Sequence, residues 1–494
     1  MSPQDTVNKL WNLCNVLRDD GITYHQYVTE LTYVLFLKMA KETGAEERIP
    51  AQYRWDRLLA LDESELLDFY RQMLLDLGKE AQGRVQEIYQ NAQTNIRRPA
   101  NLKTIITAIE GIDWFELVDE LKDDARYQQA YQHDKYENLG ELYEGLLEKN
   151  AAEKKSGAGQ YFTPRPLIDV MVRMLAPKAG EYCHDPSAGT FGFMIAVDRY
   201  LRDQYDDYYA PEVDKAFQTE KALTGVELVP DTHRLALMNA MLHGLHAPIL
   251  LEDALSNQGA NGIAALAPGG FDLILANPPF GTKRGGEKPT RTDLQSEVET
   301  SNKQLNFLMA IYLSLHRRGG ARAGVVLPDN VLFEDGAGRE VRQKLMNKCN
   351  LHTILRLPTG IFYAQGVKTN VLFFERGTTE EGNTKRVWYY DLRSEMDSFG
   401  KRNPLSLDHF APFERAYEAT DRHAIDDPRW SSFSRAEIAE RGDTLDLGLM
   451  RSDNGDSDSA ETDPVALTEQ ALAELDAAMG HLQTVLTLMQ DGRN

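Results

Sequence analysis

Apolar residues along the first third of the chain recur at helical spacing. Leu10, Leu13, Cys14 and Leu17 fall on one face, and the same steps of three and four return through TYHQYVTELTYVLFLKMA and ENLGELYEGLLEKN. Strand-like alternation is scarce there, so residues 1–152 read as an α-helical N-terminal domain. EKKSGAGQ, Glu153 to Gln160, is charged and then glycine-containing, a loop or linker. From Tyr161 to about Arg393 the pattern changes to short apolar runs separated by helical stretches. EYCH, FDLILA (Phe271–Ala276), AGVVLP (Ala323–Pro328), LHTILRLP (Leu351–Pro358) and TNVLFFE (Thr369–Glu375) are the strand candidates. LIDVMVRML, THRLALMNAMLHG and NKQLNFLMAIYLSLHRR are the helices among them. Strand, helix, strand in repetition predicts an α/β domain over 153–450, with a parallel sheet covered on both faces. Its ligands are then expected at the carboxyl ends of the strands.

Beyond Met450 the chain turns polar, and residues 451–464 read as a flexible acidic linker. In 465–494, Leu472, Leu475, Met479, Leu482, Leu486 and Met489 form an a/d seam. The seam suits a C-terminal helix that contacts a partner subunit; the other reading is an amphipathic helix packed on its own domain.

Composition narrows the class. A chain of 494 residues is too long for one core, and two or three domains are expected. With 42% hydrophobic and 26% charged residues it belongs with ordinary globular proteins. No apolar run is long enough for a bilayer, and the N-terminus lacks the basic-then-apolar pattern of a signal peptide. Cys14, Cys183 and Cys349 show neither zinc spacing nor a disulfide framework. No membrane and a reducing cytoplasm are therefore expected. The formal charge of −22 argues against this chain being the main surface that grips DNA, since phosphate neutralisation needs cations.

The strongest chemical signal is Asn277-Pro278-Pro279-Phe280, directly after the buried strand candidate FDLILA. A ring-conjugated exocyclic amine is a poor nucleophile because its lone pair is delocalised. The Asn277 amide oxygen and the Pro278 carbonyl can accept its two N–H bonds and free that lone pair for attack on a methyl sulfonium. Proline fixes φ in such a loop and has no N–H to satisfy. Phe280 offers a flat face for a flipped base. Asp185-Pro186-Ser187-Ala188-Gly189-Thr190-Phe191-Gly192 is a glycine turn between a strand and a helix, where a nucleotide-like ligand can approach backbone. It lacks the full pattern of the nicotinamide folds. Asp185 can face the ammonium of a methionine moiety. Glu227, ending the next strand, can accept from ribose hydroxyls, and Asp253 from a cofactor adenine amine. In Gln160-Tyr161-Phe162-Thr163-Pro164-Arg165 the Thr-Pro step reads as a helix start, with Thr163 at the cap and Pro164 in the first turn. No cluster of metal-ligating residues has ligand spacing.

GQYFTPRPLI, DPSAGTFGF, GVELVP and NPPFG, in this order, resemble the amino-methyltransferases of type I restriction-modification systems. LPDNVLFEDGAGREVRQKLM, LHTILRLPTGIFYAQGVKTNVLFFE and the seam-bearing C-terminus extend the resemblance over most of the chain, within the branch typified by the enzyme of Escherichia coli K-12. The resemblance implies a helical N-terminal domain and a Rossmann-like, S-adenosylmethionine-dependent methyltransferase sheet, parallel except for one reversed strand. It implies methylation of adenine N6 in double-stranded DNA. It also implies assembly of two modification subunits with one specificity subunit, optionally joined by restriction (translocase) subunits. By motif, Gln160 to Arg165, Thr190 to Gly192 and Glu227 line the cofactor site, and Asn277 to Phe280 hold the target base. Phe191 departs from the pattern, which usually has a small residue there; its ring either crowds the methionine tail or points into the core.

Between NPPF and the tail the sequence continues the sheet without a large base-reading domain, which points to a separate reader. The polar stretch Gly281 to Gln304 is expected to be a mobile loop beside the target base. Two other readings stay open from the residues: methylation of cytosine N4, which uses the same amine logic, and a cofactor-binding scaffold without turnover, favoured by Phe191.

Overall fold

The structure, a computed structural model, describes residues 3–18, 20–22, 24–42, 45–112, 143–149, 163–204, 214–280, 288–358, 360–362, 368–394, 399 and 405–447. The expected linker 451–464 and the seam-bearing helix 465–494 lie outside these residues. Among the described residues no strand precedes Cys183. The amphipathic periods fold as expected into helices that include Pro3–Asn12, Tyr24–Glu42, Glu63–Glu80 and Pro99–Glu110. Their apolar stripes, among them Leu10, Leu17, Leu31, Leu35, Leu66 and Leu74, are buried against one another. No helix among the described residues is long and apolar enough to cross a membrane.

The nine strands are β1 (Cys183–Asp185), β2 (Leu223–Glu227), β3 (Ile249–Leu251), β4 (Leu273–Ala276), β5 (Arg322–Pro328), β6 (Cys349–Leu357), β7 (Thr369–Arg376), β8 (Arg386–Asp391) and β9 (Trp430–Ser434). They lie in the order β3-β2-β1-β4-β5-β7-β6-β8-β9. All four residues of β4 are buried, as for a strand covered by helices on both faces. β7 runs antiparallel between β5 and β6, the expected reversal. A second reversed strand, β9, corrects the expectation of a single one: it returns antiparallel along β8 at the sheet edge. There Trp388 and Trp430 stack with ring centroids 5.1 Å apart, an aromatic cross-strand contact that secures the added strand.

The chain leaves β1 towards β2 and β3 on one side and returns to β4 on the other. The order reverses between β1 and β4, and a crevice opens outside their carboxyl ends. The N-terminal helices reach this sheet through Arg234, on the helix Pro230–Leu242. Its Nε donates to the Ile88 carbonyl at 2.7 Å and its Nη2 to the Gln90 carbonyl at 3.0 Å. The guanidinium also lies 5.1 Å from the centroid of the Tyr33 ring.

Candidate active site

A cavity of about 760 Å³ occupies that crevice. Asp185, Gly189, Thr190, Gly192, Glu227, Asp253, Asn277, Pro279, Thr163 and Arg165, all singled out in the sequence, line it. Pro164, Phe191, Pro278 and Phe280 do not, and Gln160, Tyr161 and Phe162 lie outside the described residues.

Asn277 follows β4 directly and is buried. Its Nδ2 donates to the Thr163 hydroxyl at 2.9 Å. In this orientation Oδ1 is left buried with no hydrogen-bond partner among the described residues. A buried carbonyl oxygen without a donor costs about 1–3 kcal/mol, so the site holds an acceptor ready for an N–H. Thr163 itself corrects an expectation. The helix runs Arg165–Leu175 with Pro164 as its N-cap at φ −57°, ψ 135° and no side-chain cap, and Pro166 falls in the first turn. Pro164 keeps extended ψ, so helical geometry begins one residue later than expected. The Thr163 hydroxyl serves Asn277 instead of the helix.

Asp185 ends β1 fully buried; its Oδ1 accepts from the Ser187 backbone N–H at 2.9 Å and the Ser187 hydroxyl at 3.3 Å. Burial, with the nearby Glu227 charge adding to it, pushes its carboxyl up to about 7. Glu227 at the end of β2 accepts from Gly189 N–H at 3.0 Å and Val229 N–H at 2.8 Å, and burial raises its carboxyl as well, against those hydrogen bonds. Gly189 takes φ +55°, which a residue without Cβ adopts freely. Asp253 lies two residues past β3 rather than on it, its Oδ1 accepting from Leu255 N–H at 2.9 Å. Leu228 and Val229, beside Glu227, are large apolar residues left exposed and line the cavity.

Phe191 takes φ +70° and is fully buried. Its ring turns into the core against β2, where a Cβ on Gly225 would meet Phe191 Cε2 at 3.0 Å and the Ala188 Cβ at 2.9 Å. The residue that favoured a scaffold without turnover therefore does not crowd the cavity. Phe280 is half-buried and meets Phe362 edge to face, with centroids 5.9 Å apart.

Three further contributions carry no mark in the sequence pattern. Asn239, buried on Pro230–Leu242, donates to the Thr190 carbonyl at 2.9 Å and so holds the glycine turn. Asn306 lines the cavity from the helix Lys303–Ser314; its Nδ2 donates to the Thr300 carbonyl at 3.0 Å. Glu144 enters from residues 143–149 and pairs with Arg165. Nothing local in the sequence marks a residue that reaches a site from a distant segment. The stretch Gly281 to Gln304, expected to be a mobile loop, is structured from residue 288 on. It carries the helix Thr292–Glu297, and Arg291 is buried, with Nε 2.9 Å from Asp293 Oδ1 and Nη1 3.3 Å from the Ala254 carbonyl. Five carboxylates and three cationic side chains line the cavity, a balance that suits a cationic ligand.

This sheet, with an asparagine-proline-proline-phenylalanine turn at the switch point, defines a Rossmann-like DNA methyltransferase. The family model of the N-6 DNA methylases matches residues 134–457, and that of the HsdM N-terminal domain matches residues 6–109. The methylase subunit of the type I restriction enzyme EcoKI of Escherichia coli K12 is 43% identical, the match covering 98% of this chain and 96% of that protein. The StySPI methylase subunit of Salmonella potsdam is 42% identical, over 98% and 95%. In structure, the EcoKI M protein matches at 38% identity with a TM-score of 0.52, covering 97% of this chain and 96% of that one. A chain of a type I restriction-modification system studied for complex assembly and conformational transition matches at 25% identity and a TM-score of 0.74, over 99% of both. The chain belongs to the methylase subunits of type I restriction enzymes, as its motifs implied.

Proposed function

We propose that the chain transfers a methyl group from S-adenosylmethionine to N6 of a flipped adenine in double-stranded DNA, at a sequence chosen by a separate specificity subunit. The observation that carries the reading is Asn277 at the carboxyl end of β4, its Nδ2 bonded to Thr163 and its buried Oδ1 without a partner among the described residues. When bound, the cofactor supplies a methyl group on a cationic sulfonium. Asp185 would face its ammonium, Glu227 would take the ribose hydroxyls and Asp253 the adenine amine. Gly189, Thr190 and Gly192 would let it approach the backbone, while Leu228 and Val229 offer apolar surface in the same cavity.

The flipped base stacks against Phe280. Asn277 Oδ1 accepts one N–H of its amine and the Pro278 carbonyl the other. The nitrogen would be drawn towards tetrahedral geometry and its lone pair released to form the N–C bond as the S–C bond of the sulfonium breaks and leaves the thioether. The amine's proton leaves after nitrogen has gained its fourth bond, so no side chain needs to act as a strong base. The charge of −22 fits DNA contact delegated to partners: two modification subunits per specificity subunit, joined for cleavage by restriction (translocase) subunits, in the cytoplasm.

The test is incorporation of labelled methyl into duplex DNA in the presence of the specificity subunit, wild type beside Asn277→Ala. N6-methyladenine from wild type and a loss of about 10³-fold in the variant is expected, the scale seen when a single preorganised polar group is removed. N4-methylcytosine as product would replace the base assignment, and an intact complex that incorporates nothing would sink the reading.

A further inference from the structure

Residues 143–149 form a helical segment built from two sides. One side belongs to the N-terminal helices. The Tyr143 hydroxyl lies 3.1 Å from the Thr32 hydroxyl, and Lys149 Nζ donates to Asn8 Oδ1 at 2.6 Å. A Cβ on Gly145 would meet Val7 Cγ2 at 3.0 Å, so glycine permits the close approach. The other side delivers Glu144 and Leu147 to the lining of the cavity. Glu144 is buried and forms an ion pair with Arg165, the first residue of the helix after Thr163. Its Oε1 lies 4.0 Å from His243 Nε2, outside hydrogen-bond reach.

His243 does not neutralise Glu144. Burial, and after it the charges of Arg202, Arg165 and Arg199, hold the imidazole down at about 3, neutral at physiological pH. Among the described residues Arg165 is the one ion-pair partner of Glu144 within hydrogen-bond reach, and a buried carboxylate is expensive unless further donors meet it. The amino-acid end of S-adenosylmethionine brings such donors. A primary ammonium carries three N–H bonds. Asp185 has one oxygen, Oδ1, already accepting two bonds from Ser187, and its Oδ2 can meet one of those N–H bonds, which leaves the others for a second acceptor.

Resting on that reading of the site, we propose that Glu144, on a helical segment packed against the N-terminal helices and held by Arg165, is a second carboxylate for the ammonium of the cofactor's amino-acid end. The segment thereby ties the N-terminal helices to the cofactor site, and their seating on the sheet is coupled to its occupancy.

The experiment is calorimetric binding to the full chain, Glu144→Gln beside wild type, with two probes. S-adenosylhomocysteine has the amino-acid end; 5′-methylthioadenosine lacks it. The expected result is a loss of about tenfold or more for S-adenosylhomocysteine, the scale of a hydrogen bond between charged groups, with methylthioadenosine unchanged. Thermal denaturation of both proteins verifies that the near-isosteric variant folds. Equal affinity of wild type and variant for S-adenosylhomocysteine overturns the proposal. So does an equal loss for both probes, which would mean a deformed pocket. If wild type binds neither probe, the cofactor reading itself falls, and the inference with it.

Discussion

Asn277 and Asp185 show how one residue's neighbours decide what it can do. An asparagine after a strand is ordinarily satisfied by its turn; here Thr163 takes the amide N–H and the oxygen is left buried without a partner among the described residues. Asp185 is withdrawn from water and keeps its proton up to about 7. In the unfolded chain the same carboxyl titrates near 3.8. Its contribution to stability is therefore complete below 3.8 and lost as pH rises to about 7. On the proposed reading of the site, cofactor affinity should run the other way, since the ionised form is the one that pairs with an ammonium. Affinity for S-adenosylhomocysteine should rise severalfold from about pH 6 to about pH 8, the window either side of that value. Calorimetry across this range tests it, with Asp185→Asn expected to flatten the profile. A flat profile in wild type would remove Asp185 from the ammonium's partners.

Among elements, the packing of the β1 turn onto β2 matters most. Gly225 is the residue of β2 over which Ala188 and the Phe191 ring lie. Phe191 tolerates φ +70° because its ring is clamped there, and the turn it leaves behind presents Gly189 and Thr190 to the cavity. Gly225→Ala would place a methyl 2.9 Å from the Ala188 Cβ and 3.0 Å from the ring, and neither the turn nor the core ring can give way freely. A loss of about 1–3 kcal/mol in stability is expected, as for overpacking in a close-packed core. Cofactor affinity should fall with it. Urea denaturation together with S-adenosylhomocysteine binding decides the matter; a variant as stable as wild type would mean that the turn is not clamped by this contact.

At the scale of the whole molecule, the helical region and the sheet meet through polar groups as well as apolar ones. Arg234 satisfies two carbonyls at the end of one helix and the turn beyond it while stacking on Tyr33. Arg234→Ala would strand both carbonyls, at a cost of about 2–4 kcal/mol. A lower urea midpoint for the full chain is the expected outcome, and an unchanged midpoint would mean that water takes over both carbonyls. The acidic surface belongs to this scale too: a subunit carrying −22 suits an assembly in which other chains supply much of the basic surface.

Helix and strand periods and the strand-end motifs are legible along the chain because each is local. Period reports burial, and a turn motif reports what the backbone must do. The residues of the NPPF turn, the glycine turn and Glu227 are enough to place each of them at a strand end, and the change of period divides the N-terminal helices from the sheet region. Other features need the third dimension. Thr163 reads as a helix cap because Thr-Pro usually is one; only its approach to Asn277, 114 residues on, assigns the hydroxyl elsewhere. Phe191 has two possible directions, and the space over Gly225 chooses between them. The antiparallel return of β9 depends on an edge that exists only once β8 has joined the sheet. Glu144 becomes a cavity residue because a helix packed on Val7 and Asn8 carries it there. Sequence alone determines which segments are apolar on which face and which turns they can make. Which distant side chains share a dry cavity, and so which polar atoms remain unsatisfied and chemically available, is decided by how the finished elements pack.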